Sequence, residues 1–173
     1  LGFNLPQVLY SSNDTGDLQF HGAILIPSAD LNPGVPMTSV KGTVNLKGHY
    51  SNNQLGDFAG DIAIDSMKVA GRDADTVKAA FSKPQGDPNL HIKSIQGNLA
   101  GGAVAGDATV SIGPTTPHYA VNMVLRNADI QQVAGDQSLN GKFTASLELE
   151  GDANDPKSRI GRGDVLASGK DMY

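Results

Sequence analysis

Hydrophobic and polar residues alternate along most of this chain with the two-residue period of a β-strand. From Ser39 to Tyr50 the even positions are mostly apolar and the odd positions are polar. From Gly141 to Gly151 the odd positions are apolar in the same way. Weaker copies of the alternation occupy residues 18–26, 57–65, 90–99, 104–112 and 118–126. Strands with one apolar and one polar face are typical of an antiparallel sheet with one solvated side.

In two strands the alternation slips by one residue. Leu90 and Ile92 occupy even positions, whereas the next apolar residue, Ile95, is at an odd position. A similar slip occurs between residues 64 and 67. Such a slip would turn the apolar side chains to the other face unless an extra residue bulges out of the strand. The sequence therefore predicts bulges or bends near Ser94 and Ser66.

The remaining segments add few elements to this pattern. Between Arg72 and Phe81 the alternation favours a strand over two helical turns. The segment from Asp129 to Ala134 fits one helical turn with Ile130 and Val133 facing inward. Residues 158–173 fit either a last strand or a cut end of the chain. The predicted fold is all-β: about eight antiparallel strands that form a curved sheet, groove or sandwich, with at most short helical turns. We expect one β-rich module over residues 1–173, which is a piece of a longer protein.

Composition narrows the classes of function. The net charge is −5, so the chain offers no basic field for nucleic acid. Cysteine and tryptophan are absent, which excludes thiol chemistry and leaves few rings for stacking on sugars or bases. No run of 18 apolar residues is present, so nothing in this chain is expected to span a bilayer as a helix.

Candidate chemical groups are sparse. Asp57, Asp61 and Asp65 share one face of a predicted strand and could hold a cation or supply an acid pair, and Asp57 with Asp61 is the basis for a glycan-hydrolase alternative. A solvated strand face explains them better, and no metal site or cofactor is predicted. The four histidines are at least 27 residues apart in the sequence, which does not match metal-ligand spacing. The tripeptide Arg162-Gly163-Asp164 matches an integrin-type motif, which three residues match by chance. We expect no enzymatic activity.

The order of glycine and alternation patterns in the second half of the chain resembles a known family. The matching blocks are 90–106, 119–130, 139–143, 147–151 and 161–169. In this order they resemble the C-terminal region of AsmA-like proteins, relatives of the TamB group in the envelope of diderm bacteria. The resemblance covers residues 90–169, a little under half of the chain.

The resemblance implies a function in the cell envelope. Family members are anchored in the inner membrane by an N-terminal helix and project a long β-rich groove into the periplasm. They are implicated in phospholipid movement and outer-membrane integrity, and they contribute no catalytic motif. For this chain the resemblance implies a periplasmic location, with inner-membrane association through parts outside the chain.

The amphipathic strands offer an apolar surface for lipid acyl chains. The candidate lipid-facing residues are Val44, Leu46, Ile62, Ile64, Val121, Met123, Leu125, Leu147 and Leu149. Each methylene removed from water contributes about 0.8 kcal/mol, so a 16-carbon chain gains at most on the order of 10 kcal/mol. Small residues on the same face (Gly42, Gly60, Gly106 and Ala145) are expected to leave space for a guest.

The function predicted from these observations is a non-enzymatic envelope module. It shelters or conducts lipid acyl chains along an apolar β-groove and thereby supports outer-membrane lipid homeostasis. The alternative is a structural or adhesive secreted β-domain in which the same nine side chains fill a packed interior. A measurement of the interior separates the two, because a dry and filled core favours the alternative.

Overall fold

The computed structural model describes residues 9–12, 17–32, 35–51, 54–111, 116–153 and 155–168, which form ten strands and one short helix. The strands are β1 (Leu9–Ser12), β2 (Leu18–Leu31), β3 (Met37–Ser51), β4 (Gln54–Val69), β5 (Arg72–Lys83), β6 (Asn89–Leu99), β7 (Gly102–Ser111), β8 (His118–Asp129), β9 (Lys142–Asp152) and β10 (Asp155–Ser168). The helix α1 (Ile130–Ala134) lies between β8 and β9.

All ten strands belong to one antiparallel sheet, and each pairs with the strands before and after it in the chain. The sheet is curved and does not close, so β1 and β10 are its edges. A sheet of this order needs only hairpin connections, which agrees with the turn residues between the alternating segments. The all-β prediction is confirmed, and the arrangement is a curved single sheet.

The described residues contain more strands than the eight or so predicted. β5 confirms the strand predicted between Arg72 and Phe81. β10 shows that the C-terminal segment forms a last strand as far as Ser168, and residues 169–173 lie outside the described part. β1 was not predicted, because four residues are too few for an alternation to be recognised.

Residues in the left-handed region mark bulges in four of the strands. Ser39, Thr76, Ser94 and Asn127 have φ values of 54°, 53°, 55° and 55°, and each lies at a register shift with a neighbouring strand. The bulge predicted near Ser94 is therefore confirmed. The pairing of β3 with β4 also shifts register at Ser66, as predicted. Bulges bend strands and increase their twist, which gives this single sheet a source of curvature.

Two tight hairpins place alanine in the left-handed region. Ala70 and Gly71 have φ values of 49° and 78°, and Ala100 and Gly101 have values of 50° and 71°. Positive φ at both central residues is the requirement of a type I′ turn, the two-residue connection that matches strand twist. Sequence reasoning missed these turns because alanine is unusual at the first position, where asparagine, aspartate or glycine is typical.

Backbone hydrogen bonds connect neighbouring hairpins at this end of the sheet. The N–H of Ala70 donates to the carbonyl oxygen of Pro36 at 2.8 Å, and that of Ala100 donates to Asp73 at 2.9 Å. The N–H of Asp129 in turn donates to the carbonyl oxygen of Ala100 at 2.9 Å. These bonds satisfy hairpin groups that the strand ladders leave free.

The helix α1 confirms the helical turn predicted between Asp129 and Ala134. Its Ile130 and Val133 side chains are half-buried, and Gly135, with φ of 75°, ends it. Arg72 Nε donates to the carbonyl oxygen of Val133 at 2.8 Å and so joins the start of β5 to the helix.

The sheet has only a small buried core. Among the described residues, seven apolar residues are buried, and the one core cluster consists of Val40, Ile64 and Val77. Within the same ranges no large side chain is less than 2% exposed. The cluster lies on β3, β4 and β5, close to the bulges at Ser39 and Thr76.

Candidate functional site

All nine candidate lipid-facing residues lie on one face of the sheet, because directly paired residues of adjacent strands share a face. On β3 and β4, Val44 pairs with Ile62, and the neighbouring pairs place Leu46 and Ile64 on that face. On β8 and β9 the direct pairs Val121–Leu149 and Met123–Leu147 continue the pattern, and Leu125 pairs with Ala145. We call this surface the apolar face.

The two groups are not in contact with each other, since β5, β6 and β7 lie between them. The intervening strands nevertheless present apolar residues on the same face. One continuous row of direct pairs crosses nine strands and contains only apolar residues and glycine: Gly22, Leu46, Gly60, Phe81, Ile92, Ala108, Val121, Leu149 and Gly161. Nine strands spaced about 4.8 Å apart extend over about 38 Å, measured along the sheet.

Sequence reasoning missed much of this face. The register adds Phe20 and Ile24 on β2, Phe58 on β4, Phe81 on β5 and Ile92 on β6, each opposite an apolar residue or glycine except for the end pair of Phe58 with Lys83. The signal for these residues was present in the alternation. The missing information was the register between strands. Alternation within one strand shows which residues share a face of that strand, but it does not show which residues of the neighbouring strand lie on the same face of the sheet.

The expectation that small residues leave space on this face is wrong for the three glycines. A Cβ on Gly60 would stand 2.6 Å from Phe81 Cζ, and one on Gly106 would stand 2.5 Å from Met123 Sδ. A Cβ on Gly42 would stand 2.9 Å from Ile64 Cδ1. Side chains of adjacent strands therefore lie over the glycines. The glycines let large neighbours lie flat on the sheet, which shields apolar surface that lacks a second layer.

Glycines at other positions of the face are covered in the same way. The ring of Phe20 lies 2.6 Å from the Cβ position of Gly48, and Val77 Cγ2 lies 2.7 Å from that of Gly97. The rings of Phe58 and Phe81 lie tilted to each other with centroids 6.3 Å apart. The apolar face is therefore a shallow continuous surface, without a row of cavities at the glycine positions.

The apolar face remains accessible near its β10 edge. Leu147 is 44% exposed, whereas Ile64, beside the bulges, is 8% exposed. Most other side chains of the candidate set are half-buried. In the described part of the chain, one sheet carries all the strands, so no second sheet packs on this face.

Charged residues of the strand interiors occupy the opposite face, which also holds two shallow depressions. One has a volume of about 590 Å³ and is bordered by Lys93, Asp107, Glu148, Glu150 and Arg162 together with nearby residues of β6 to β10. The other, of about 700 Å³, lies over β2, β3 and β4. Their lining is mostly polar and alanine side chains, and three predicted lipid-facing residues also border them: Val121 and Leu149 in the first and Leu46 in the second.

The candidate acid groups are not brought together into a site. Asp57, Asp61 and Asp65 are exposed on the polar face, and Asp57 Oδ1 lies 4.0 Å from His49 Nδ1. Throughout the described ranges, no group of three or more histidine or acidic side chains is placed to hold a metal ion.

The polar side chains instead form local pairs at the strand ends. Asp87 Oδ2 lies 2.9 Å from His91 Nε2, and the Asn89 N–H donates to Asp87 Oδ1 at 2.8 Å. These hydrogen bonds hold the pKa of Asp87 below its ordinary value of 3.8, and the bond with His91 has the largest effect. The Arg162-Gly163-Asp164 tripeptide lies inside β10, where Arg162 donates to Glu148 at 2.6 Å.

Comparisons with protein-family models, with curated proteins and with solved structures find no match to this chain. The resemblance to AsmA-like proteins therefore stays a prediction. Within the described ranges, no helix has the length and hydropathy needed to cross a membrane.

Proposed function

We propose that this chain is a non-enzymatic module that shelters lipid acyl chains on the apolar face of its sheet. The single observation that carries the proposal is the row of nine directly paired residues, from Gly22 to Gly161, that contains no polar side chain. Acyl chains need such a surface, because they make no hydrogen bonds and gain free energy only by leaving water.

The exposure of this face argues for an apolar occupant. Soluble monomers rarely expose contiguous apolar patches above a few hundred Å², and larger ones mark interaction sites. Leu147, on β9 next to the edge strand β10, remains 44% exposed beside Met123. An acyl chain lying across several strands would cover such side chains and gain about 0.8 kcal/mol for each methylene removed from water.

The proposed setting is the cell envelope of a diderm bacterium. The resemblance of residues 90–169 to AsmA-like proteins supports a periplasmic location and a contribution to outer-membrane lipid homeostasis. In this proposal, phospholipid acyl chains are the ligand, and association with the inner membrane depends on parts outside this chain.

The test is direct detection of bound lipid. Protein purified without detergent is extracted and analysed by mass spectrometry, and the delipidated protein is titrated with a fluorescent fatty acid. We expect co-purified phospholipid and saturable binding that unlabelled fatty acid displaces. Absence of both would refute the proposal.

The alternative, a structural or adhesive domain, requires a packed interior. Across the described residues no large side chain is fully buried, and one sheet carries all ten strands. These observations favour the lipid proposal.

A further inference from the structure

The three most exposed large hydrophobic side chains of the described residues lie on one edge strand. In β10, Ile160 is 68% exposed, Val165 is 67% exposed and Leu166 is 70% exposed. β10 pairs with β9 on one side, and its other edge faces no strand in the described part of the chain. Long apolar edges of this kind are templates for pairing with another chain, and natural proteins usually block them.

We propose that β10 is the interface for a second copy of this chain, which pairs antiparallel to it about a twofold axis at Gly163. The directions of the backbone N–H groups in β10 agree with a twofold axis at Gly163. The Asp164 N–H points back towards β9, where it lies 3.4 Å from Ser146 Oγ. Because N–H directions alternate along a strand, Gly163 and Val165 direct theirs to the free edge. The two Gly163 residues can therefore exchange a pair of hydrogen bonds across the axis.

The charges of β10 select this register. With Gly163 at the axis, Arg162 of each copy lies opposite Asp164 of the other, which gives two cross-strand ion pairs on the polar face. A shift by two residues in one direction places Arg162 opposite Arg162 of the second copy. A shift in the other direction places Asp164 opposite its own counterpart. Like charges directly opposite each other are destabilising, so neither shifted register competes.

The apolar residues match in the same register. Ile160 lies opposite Leu166 of the second copy, so two of the exposed side chains cover each other in both halves. On the apolar face Gly161 lies opposite Val165, which repeats the placement of large side chains beside glycines within the sheet. A twofold axis perpendicular to the sheet keeps both apolar faces on one side, and the apolar face then continues from one copy into the other.

Charge reversal tests the interface and its register. We expect the purified chain to sediment as a dimer, and Arg162→Asp or Asp164→Arg to weaken dimerisation about tenfold by placing like charges opposite each other. Mixing the two variants pairs opposite charges again and should restore a mixed dimer. Arg126→Asp and Asp61→Arg make the same charge changes at exposed positions of interior strands, and both variants should dimerise as the parent does. A chain that is monomeric up to about 100 μM would overturn the proposal.

Cross-linking tests the register separately from stability, because the chain contains no cysteine. Ile160→Cys and Leu166→Cys are made as separate variants at exposed positions, where neither should disturb folding. On oxidation, the mixture should form a disulfide-linked dimer readily, and each variant alone should form one several-fold less, because only the mixed pair is within disulfide reach. Equal cross-linking in all three samples would contradict the register. A chain that sediments as a dimer but forms no cross-link in any sample would dimerise through another surface, and this result would overturn the proposal.

Discussion

The ring of Phe81 lies over Gly60, with its Cζ atom 2.6 Å from where a Cβ on that glycine would stand. The two residues are direct partners on β5 and β4, in the row that crosses the apolar face. The same Cβ would also collide with the backbone oxygen of Asn45 on β3. Gly60 therefore lets three strands approach closely while an aromatic ring covers them.

We expect Gly60→Ala to destabilise the protein by about 1–3 kcal/mol, because the added methyl group forces the ring and the strands apart. Urea unfolding followed by circular dichroism gives the free energy of unfolding. Gly161→Ala is the matched control on the same face, since the nearest atoms to its Cβ are farther away: Leu149 Cδ1, the movable end of a side chain, at 3.1 Å and the backbone oxygen of Glu148 at 3.2 Å. Its cost should stay below about 1 kcal/mol. Equal losses in both variants would contradict the packing described for Phe81.

The Ala70–Gly71 turn gives a prediction about backbone strain without packing. A Cβ on Gly71 would meet no atom within 4 Å, yet its φ is 78°. Gly71→Ala should therefore cost about 1–2 kcal/mol through conformation alone. Ala70→Asn should be neutral or stabilising by up to about 1 kcal/mol, because asparagine tolerates the left-handed region. Thermal unfolding compares the two variants, and a harmless Gly71→Ala would argue against a type I′ turn.

Deletion of Ser94 tests the bulge in β6. Without this residue, either the side chains of Leu90 and Ile92 or those of Ile95 and Leu99 turn to the polar face. We expect a loss of about 3 kcal/mol or more, since several apolar side chains lose their cover. Deletion of Gln85, in the exposed turn between β5 and β6, is the control and should cost much less. Equal tolerance of both deletions would contradict the register.

Asp87 gives a prediction for acid stability. The pKa of its carboxyl group is lowered in the folded protein by hydrogen bonds from His91 and Asn89. Its stabilising contribution is therefore fully present above its ordinary pKa of 3.8 and is lost as the pH falls through the lower folded pKa. We expect Asp87→Asn to flatten the acid limb of a plot of unfolding free energy against pH. Parallel curves for the variant and the parent would exclude this contribution.

Leu147 tests the apolar face as the lipid site. Leu147→Glu places a charge on the apolar face, next to the edge strand β10, and should weaken binding of a fluorescent fatty acid about tenfold or more. Ser146→Glu adds the same side chain to the polar face of the same strand and should leave binding unchanged. Both variants are checked for parental circular dichroism. If both variants lose binding of the fatty acid, or if neither does, the apolar face is not the lipid site.

The amino-acid sequence by itself determined most of the long strands, the amphipathic character of each of these and the bulges near Ser94 and Ser66. These features are local, since an alternation or a slip by one residue can be read within a single strand. The short helix between β8 and β9 was predictable for the same reason.

Only the tertiary structure decided how the strands combine. Register placed Phe81 and Ile92 between the predicted groups and joined all of them into one apolar face. It also placed side chains over glycines that were expected to leave space, and left the edge of β10 free. These outcomes depend on pairing between residues distant in sequence, and the period of an individual strand does not encode which neighbour it meets or whether another layer covers it.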